Sequence, residues 1–370
     1  MSGAKAALVW SDDFITYDFG LGHPLRPRRL TATRQLMEAY GLLARPEVQV
    51  VDAPLATEAE VLMVHTREYY DTVAALSGDE SRCRPWDHGF SSTDNPAFRG
   101  MLEASLRYTG ASLQAARLVS AGQVPRAFNP AGGLHHAKPD RASGFCIFND
   151  AAIAIADLLH RHQRVLYLDL DAHHGDGVQY VFYDSPRVMT ISMHESGRFL
   201  FPGTGAPSER GVGDGAGYSV NIPLHPGTRD ETFWRVFHTL VPPLVESFDP
   251  EVVVVQVGVD THALDPLAHL ELSVDGILRV VRAIRDWNRP LVALGGGGYN
   301  VDVVARAWTL VLACLAEVDL PDATPANRPP EVGPSLSDAR TIPSRGYWDP
   351  ATTERFADQI IQAVQQEISR

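Results

Sequence analysis

The chain has 370 residues, 45% of them hydrophobic, and a formal net charge of −13, which is material for one large α/β domain or two average ones. The acidic balance argues against unaided binding to nucleic acid or to an anionic membrane surface, and no stretch reaches the roughly 18 apolar residues of a membrane span. Cys83, Cys146 and Cys314 are too few and too scattered for a disulfide framework, and the apolar run Ala6–Trp10 is too short for the core of a signal peptide, so a cytoplasmic protein is expected.

Apolar runs suited to buried strands recur along the chain at Ala6–Trp10, Val48–Val51, Arg126–Asn129, Val165–Leu170, Val188–Ser192, Val252–Val257 and Leu291–Leu294. Helical periodicity fills many of the intervals, at Arg28–Tyr40, Phe98–Ser120, Asn149–Arg161, Asp230–Ser247, Val274–Trp287 and Val301–Leu315. That alternation predicts an α/β fold with a mainly parallel sheet and helices on both faces. No internal repeat or Gly/Ser linker divides the chain, so a single domain over 1–370 is expected, with a core of about 5–318. The Pro-rich stretch 319–348 and a terminal helix at Ala351–Ile368 are expected to pack over that body. Other long irregular pieces are Gly78–Pro96, Pro130–Phe148 and His194–Gly217; loops of that length in compact domains are often functional.

The densest chemistry lies in Val165-Leu-Tyr-Leu-Asp169-Leu-Asp171-Ala-His173-His174-Gly-Asp176-Gly177. An apolar run ends there in three carboxylates and two imidazoles. A strand that delivers Asp-x-His past its carboxyl end puts an oxygen and a nitrogen ligand on the rim where open α/β folds bind ligands. Zinc accepts that mixture, and three protein ligands leave the open position that a catalytic metal needs. The bland alternative, a turn capping the next helix, explains one Asp-x-His but not the whole cluster. Four further groups stand at the ends of predicted strands or in the loops after them: His135-His136, Ser192-Met-His194, Asp260, and Gly295-Gly-Gly-Gly-Tyr299. All should converge on the same carboxyl edge.

These motifs carry a resemblance. Pro130-Ala-Gly-Gly-Leu-His-His-Ala-Lys-Pro, Ser143-Gly-Phe-Cys-Ile-Phe-Asn-Asp150, Asp169–Gly177, Phe201-Pro-Gly-Thr-Gly205, Gly258-Val-Asp260 and Gly295–Tyr299 resemble the zinc-dependent histone deacetylase superfamily. The Ala-Gly-Gly-Leu-His-His form is similar to class I. His194-Glu-Ser-Gly-Arg and Asp260-Thr-His-Ala resemble the bacterial acetoin-utilisation deacetylases (AcuC). The resemblance runs from about Gly20 to Asn300 and implies a single arginase/deacetylase-type domain with a parallel sheet of about eight strands.

It also implies roles. Asp171, His173 and Asp260 would hold Zn2+, a set whose spacing independently supports an open three-ligand site; ligand type leaves Fe2+ or Co2+ open in its place. His135 and His136 would be the acid–base pair, oriented by Asp169 and Asp176, with His136 as the base for the attacking water. Tyr299 would donate to the substrate carbonyl. Gly144, Phe145 and Phe201 would line a narrow acyl-lysine tube, Asp94 would accept peptide amide hydrogens at its rim, and Arg29 would sit on an internal channel, although a turn residue and a surface salt bridge are the ordinary readings of those last two. Structural K+ is implied at Asp169, Asp171, His173, Ser192 and Met193, and again at Phe182, Ser185, Val188 and Tyr218. Ile147 and Ala172 depart from the common pattern beside the channel and the metal ligands.

The activity so implied is hydrolysis of acetyl-lysine in a protein or peptide, for instance an acetylated metabolic enzyme such as an acetyl-CoA synthetase, with sensitivity to hydroxamate-type inhibitors. An acetylpolyamine or other small-molecule N-acyl amidohydrolase is the alternative. A binuclear manganese ureohydrolase needs carboxylates where this chain has Gly175 and His262. A non-catalytic binder of acetylated ligands would be expected to have a broken catalytic set.

Overall fold

The computed structural model describes residues 3–368 apart from 83, 85, 86, 91, 92, 339–341, 343 and 344; Cys83 therefore lies outside the described residues. Eight strands form one parallel sheet: β1 Ala6–Trp10, β2 Val48–Asp52, β3 Arg126–Asn129, β4 Val165–Asp169, β5 Val188–Glu195, β6 Ser219–Leu224, β7 Val252–Gln256 and β8 Leu291–Leu294. Their spatial order is β2-β1-β3-β8-β7-β4-β5-β6. Around it lie α1 Arg28–Ala39, α2 Glu58–Val61, α3 Arg67–Gly78, α4 Met101–Ser120, α5 Asp150–Leu158, α6 Asp176–Val181, α7 Asp230–Phe248, α8 Val274–Arg285, α9 Val301–Ala316 and α10 Pro350–Ile368. No helix among the described residues is long and apolar enough to cross a membrane.

Central strands read as continuous apolar runs because both faces are covered. Every residue of β4 (Val-Leu-Tyr-Leu-Asp) and β7 (Val-Val-Val-Val-Gln) is buried. The last residues of β3, β8, β7 and β4 align: Asn129 pairs with Leu294, Leu294 with Gln256, and Gln256 with Asp169, which pairs with Ser192 inside β5. Four adjacent strands therefore end in one line, and the loops that leave them share one edge.

The structure extends the sequence reading in three places. β6 had no apolar signal strong enough to be named, since Asn221 and Pro223 interrupt it; it is an edge strand, where Pro is tolerated. α2, α3 and α6 are likewise absent from the expected helices. β5 runs three residues further than expected, to Glu195, so Ser192–His194, expected to end the strand, lies within it. After α9, Val332 and Leu336 pack with Ala32, Leu36 and Ala305, and α10 contacts β6 and α7.

Candidate active site and metal centre

The loop after β3 is fixed from α5. Asp150, fully buried, accepts from the backbone N–H of Gly133 (2.9 Å) and Leu134 (2.7 Å), and Asn149 donates to the carbonyls of His135 and Ala137. This holds both imidazoles at the rim. His135 Nδ1 lies 2.7 Å from Asp169 Oδ2, His136 Nδ1 lies 2.7 Å from Asp176 Oδ1, and the two Nε2 atoms face each other at 3.0 Å. Each carboxylate fixes the proton of its partner on Nδ1 and leaves Nε2 facing inward. Burial opposes charge on His135, but the charges of Asp169 and Asp171 outweigh it and raise its pKa to about 9. Burial and the neighbouring His135 lower His136 to about 4. Two imidazoles in contact cannot both be charged, so the pair is polarised.

Asp171, His173 and Asp260 bring their ligand atoms within 4.8 Å of one another. His173 Nδ1 is 2.9 Å from Asp260 Oδ2 and 3.1 Å from Asp171 Oδ1. Asp171 Oδ2 accepts from Gln256 Nε2 and from the Gly297 N–H, both at 2.7 Å. Asp260 Oδ1 accepts from the Ala172 N–H at 2.9 Å. Burial, and then the charge of Asp171, raise the pKa of Asp260. Two buried carboxylates and an imidazole turned toward one centre make a donor set that fits one divalent cation of the zinc type. Glycines keep the space open. A Cβ on Gly297 would lie 2.1 Å from Asp260 Oδ2 and 2.7 Å from Asp171 Oδ2. Among the described residues a second divalent ion lacks ligands beside the triad: Gly175 has no side chain, and His262 is engaged by Asp338 Oδ2 (3.1 Å) and the Leu264 N–H.

Asp171, His173, His135, His136, Gly144, Phe145 and Tyr299 line one narrow slot, and Asp260 reaches it through His173 Nδ1 at 2.9 Å. Phe145 takes a left-handed backbone (φ 69°) and sets its ring edge-on to Tyr299 at 5.8 Å. Phe201, 44% exposed, stands 5.0 Å from the His136 ring on the other side. Asp94 is exposed, and its carbonyl lies 3.2 Å from His23 Nε2, whose ring touches Phe145; Asp94 is therefore at the rim. Arg29 is buried and donates to the carbonyls of Gly296 (2.7 Å) and Gly298 (3.3 Å), over the Trp308 ring. This replaces the surface salt bridge considered for it.

The two groups of residues implied for K+ are separate. Asp169, Asp171, His173, Ser192 and Met193 gather at the carboxyl end of β4 and the adjoining part of β5, where Ser192 Oγ contacts His194 Nδ1 at 2.9 Å. Phe182, Ser185, Val188 and Tyr218 cluster around the starts of β5 and β6, with the Tyr218 carbonyl accepting from Thr190. His174 turns away from the triad to Thr204 Oγ1 (2.8 Å) and Gln179 Oε1 (3.1 Å).

Sequence reasoning gave no role to Gln256, Asn149, Asp150 or Asp265. Asp265 is 2% exposed and accepts the Tyr299 N–H on Oδ2 at 2.9 Å. Gln256 had a signal in the sequence, a polar residue closing an all-valine strand.

Residues 23–315 match the histone deacetylase domain. The chain is 38% identical to histone deacetylase 9 of Arabidopsis thaliana over 325 residues, covering 87% of this chain and 76% of that one. It is 39% identical to the acetoin utilization protein AcuC of Bacillus subtilis (strain 168) over 322 residues, covering 85% and 83%, and 40% identical to AcuC of Staphylococcus aureus (strain COL) over 326 residues, covering 85% and 82%.

Proposed function

The chain belongs to the histone deacetylase family and is a deacetylase-type hydrolase, and from that premise we propose that it removes acetyl groups from lysine side chains of proteins or peptides. The observation that carries this reading is the meeting of the Asp–His–Asp triad, the two carboxylate-backed imidazoles and Tyr299 on one slot. The slot is bracketed by Phe145 and Phe201, which suits a methylene stem whose far end stays in water.

Asp171, His173 and Asp260 would hold zinc, which when bound supplies Lewis acidity toward the amide carbonyl and the attacking water. His136 accepts the proton of that water at Nε2, because Asp176 keeps the other ring proton on Nδ1. His135, backed by Asp169, places positive charge beside the developing anion and returns a proton to the leaving amine. The Tyr299 hydroxyl donates to the oxyanion. Arg29 neutralises the carbonyl-rich turn under the slot and faces the route for acetate. Asp94 accepts amide hydrogens of a peptide at the rim. The two groups of residues implied for K+ stiffen the strand ends.

The test is a panel of acyl-lysine peptides, an acetylated acetyl-CoA synthetase and acetylpolyamines, assayed with zinc, iron and cobalt and with a hydroxamate inhibitor. Turnover of acetyl-lysine peptides, blocked by the hydroxamate, is expected. Turnover confined to acetylpolyamines overturns the substrate assignment. Tyr299→Phe should lower kcat at least about a hundredfold with the fold kept; wild-type turnover in that variant removes the oxyanion role.

A further inference from the structure

Tyr299 is held from a part of the chain that lies beyond the matched domain. The residue follows four glycines, of which Gly296 (φ 94°) and Gly298 (φ 139°) take positive-φ conformations that glycine adopts freely. Its backbone N–H is taken by Asp265 Oδ2 at 2.9 Å, while Asp265 Oδ1 accepts from Leu267 at 2.9 Å. The position of Tyr299 is therefore tied to the shape of the loop from Ala263 to Ala268.

That loop is gripped by one side chain. Arg345 donates from Nε (2.8 Å) and Nη2 (2.6 Å) to the Ala263 carbonyl, from Nη2 to the Asp265 carbonyl (2.6 Å), and from Nη1 to the Ala268 carbonyl (3.0 Å). Its own N–H donates to Glu271 Oε1 at 2.9 Å, which locks the base of the side chain to the same stretch. A planar fork of donors matched to three carbonyls of one turn fixes that turn's shape, which a single-point ammonium cannot do. The same segment makes a second tie: Asp338 bridges His262 Nε2 and Arg306 Nη1, both at 3.1 Å, and Arg306 lies on the helix that begins just after Tyr299. The domain match ends at residue 315.

We infer that Arg345 is a positioning residue for Tyr299, acting through the Ala263–Ala268 loop and Asp265. The inference rests on the oxyanion role proposed for Tyr299. A displacement of that phenol by an ångström weakens a bond made in the transition state, so the loss falls on kcat.

The experiment is a double-mutant cycle of Arg345→Gln and Tyr299→Phe, with kcat and KM on an acetyl-lysine peptide, zinc per chain and thermal midpoint for all four proteins. Arg345→Gln is expected to lower kcat by at least about tenfold with KM within about twofold, and to retain the zinc content of the wild type, because Asp260 has its own tie to the Ala172 N–H. In the Tyr299→Phe background the same substitution is expected to cost less than about twofold. An equal loss in both backgrounds overturns the inference, since a merely structural role does not depend on the phenol, and so does an unchanged kcat. If Tyr299→Phe by itself keeps full activity, the oxyanion role fails, and that result is read without any Arg345 variant. Should Arg345→Gln not fold, Arg345→Lys enters the same cycle, where its one ammonium should give a smaller loss with the same dependence on Tyr299.

Discussion

Three carboxylates within eight residues of one strand end do different work because each meets a different partner. Asp169 and Asp176 each accept from an imidazole Nδ1, whereas Asp171 faces His173 and is stretched between Gln256 and Gly297. Asp176→Asn keeps the shape but loses the charge that sets the His136 tautomer, so kcat should fall about 10- to 100-fold with zinc content unchanged. A kinetic assay beside metal analysis checks this, and loss of zinc would reassign Asp176 to the metal. Gln256→Leu removes a donor from Asp171, and zinc affinity measured against a competing chelator should weaken about 10- to 100-fold. Chelation should abolish turnover and lower the thermal midpoint, and added zinc should restore both, because a ligand bound only by the folded chain stabilises it. At this scale the sequence was informative where spacing is local: Asp171 and His173 are close along the chain, and their backbone is already folded together by the Asp171 Oδ1 bond to the His173 N–H.

Elements were legible where apolar residues run without interruption or recur at a helical period. β4 and β7 show themselves as apolar runs, and α9 by its periodicity. β6 did not, because an edge strand under α10 tolerates Asn221 and Pro223, and α3 did not, because its tyrosines at 69 and 70 mask a simple period. The glycine turn after β8 is an element whose function is empty space. Gly297→Ala places a methyl 2.1 Å from Asp260 Oδ2, and the carboxylate cannot move without leaving the Ala172 N–H. Zinc binding and activity should both be lost while the far-ultraviolet circular dichroism spectrum stays that of the wild type. Retained zinc with full activity would mean the turn can shift.

Across the whole molecule, segments distant in sequence brace the slot. Trp348, after α9 and before α10, packs edge-on against Phe199 (5.7 Å), on the loop that presents Phe201, and against His225 (5.3 Å), just after β6. On the other side, buried His65 accepts the Asn149 N–H at 2.9 Å, behind the loop that carries His135 and His136. Burial lowers the pKa of His65 from 6.5 to about 4. The unfolded chain therefore takes up a proton first as pH falls, so this contribution to stability is present above pH 6.5 and is lost toward pH 4. Its size is about 3 kcal/mol. Urea unfolding at a series of pH values should give a steeper fall for the wild type than for His65→Gln across that window; parallel curves would show that His65 is not held neutral. The sequence by itself determined the α/β alternation, the Asp-x-His rim and the family, because strand burial and motif spacing are written in neighbouring residues. Only the tertiary structure decided that Gln256, Asp265 and Arg345 join the site. Their partners lie 85, 34 and between 77 and 82 residues away, and a hydrogen bond across such a distance is set by how helices and loops close over the sheet, which no local pattern records.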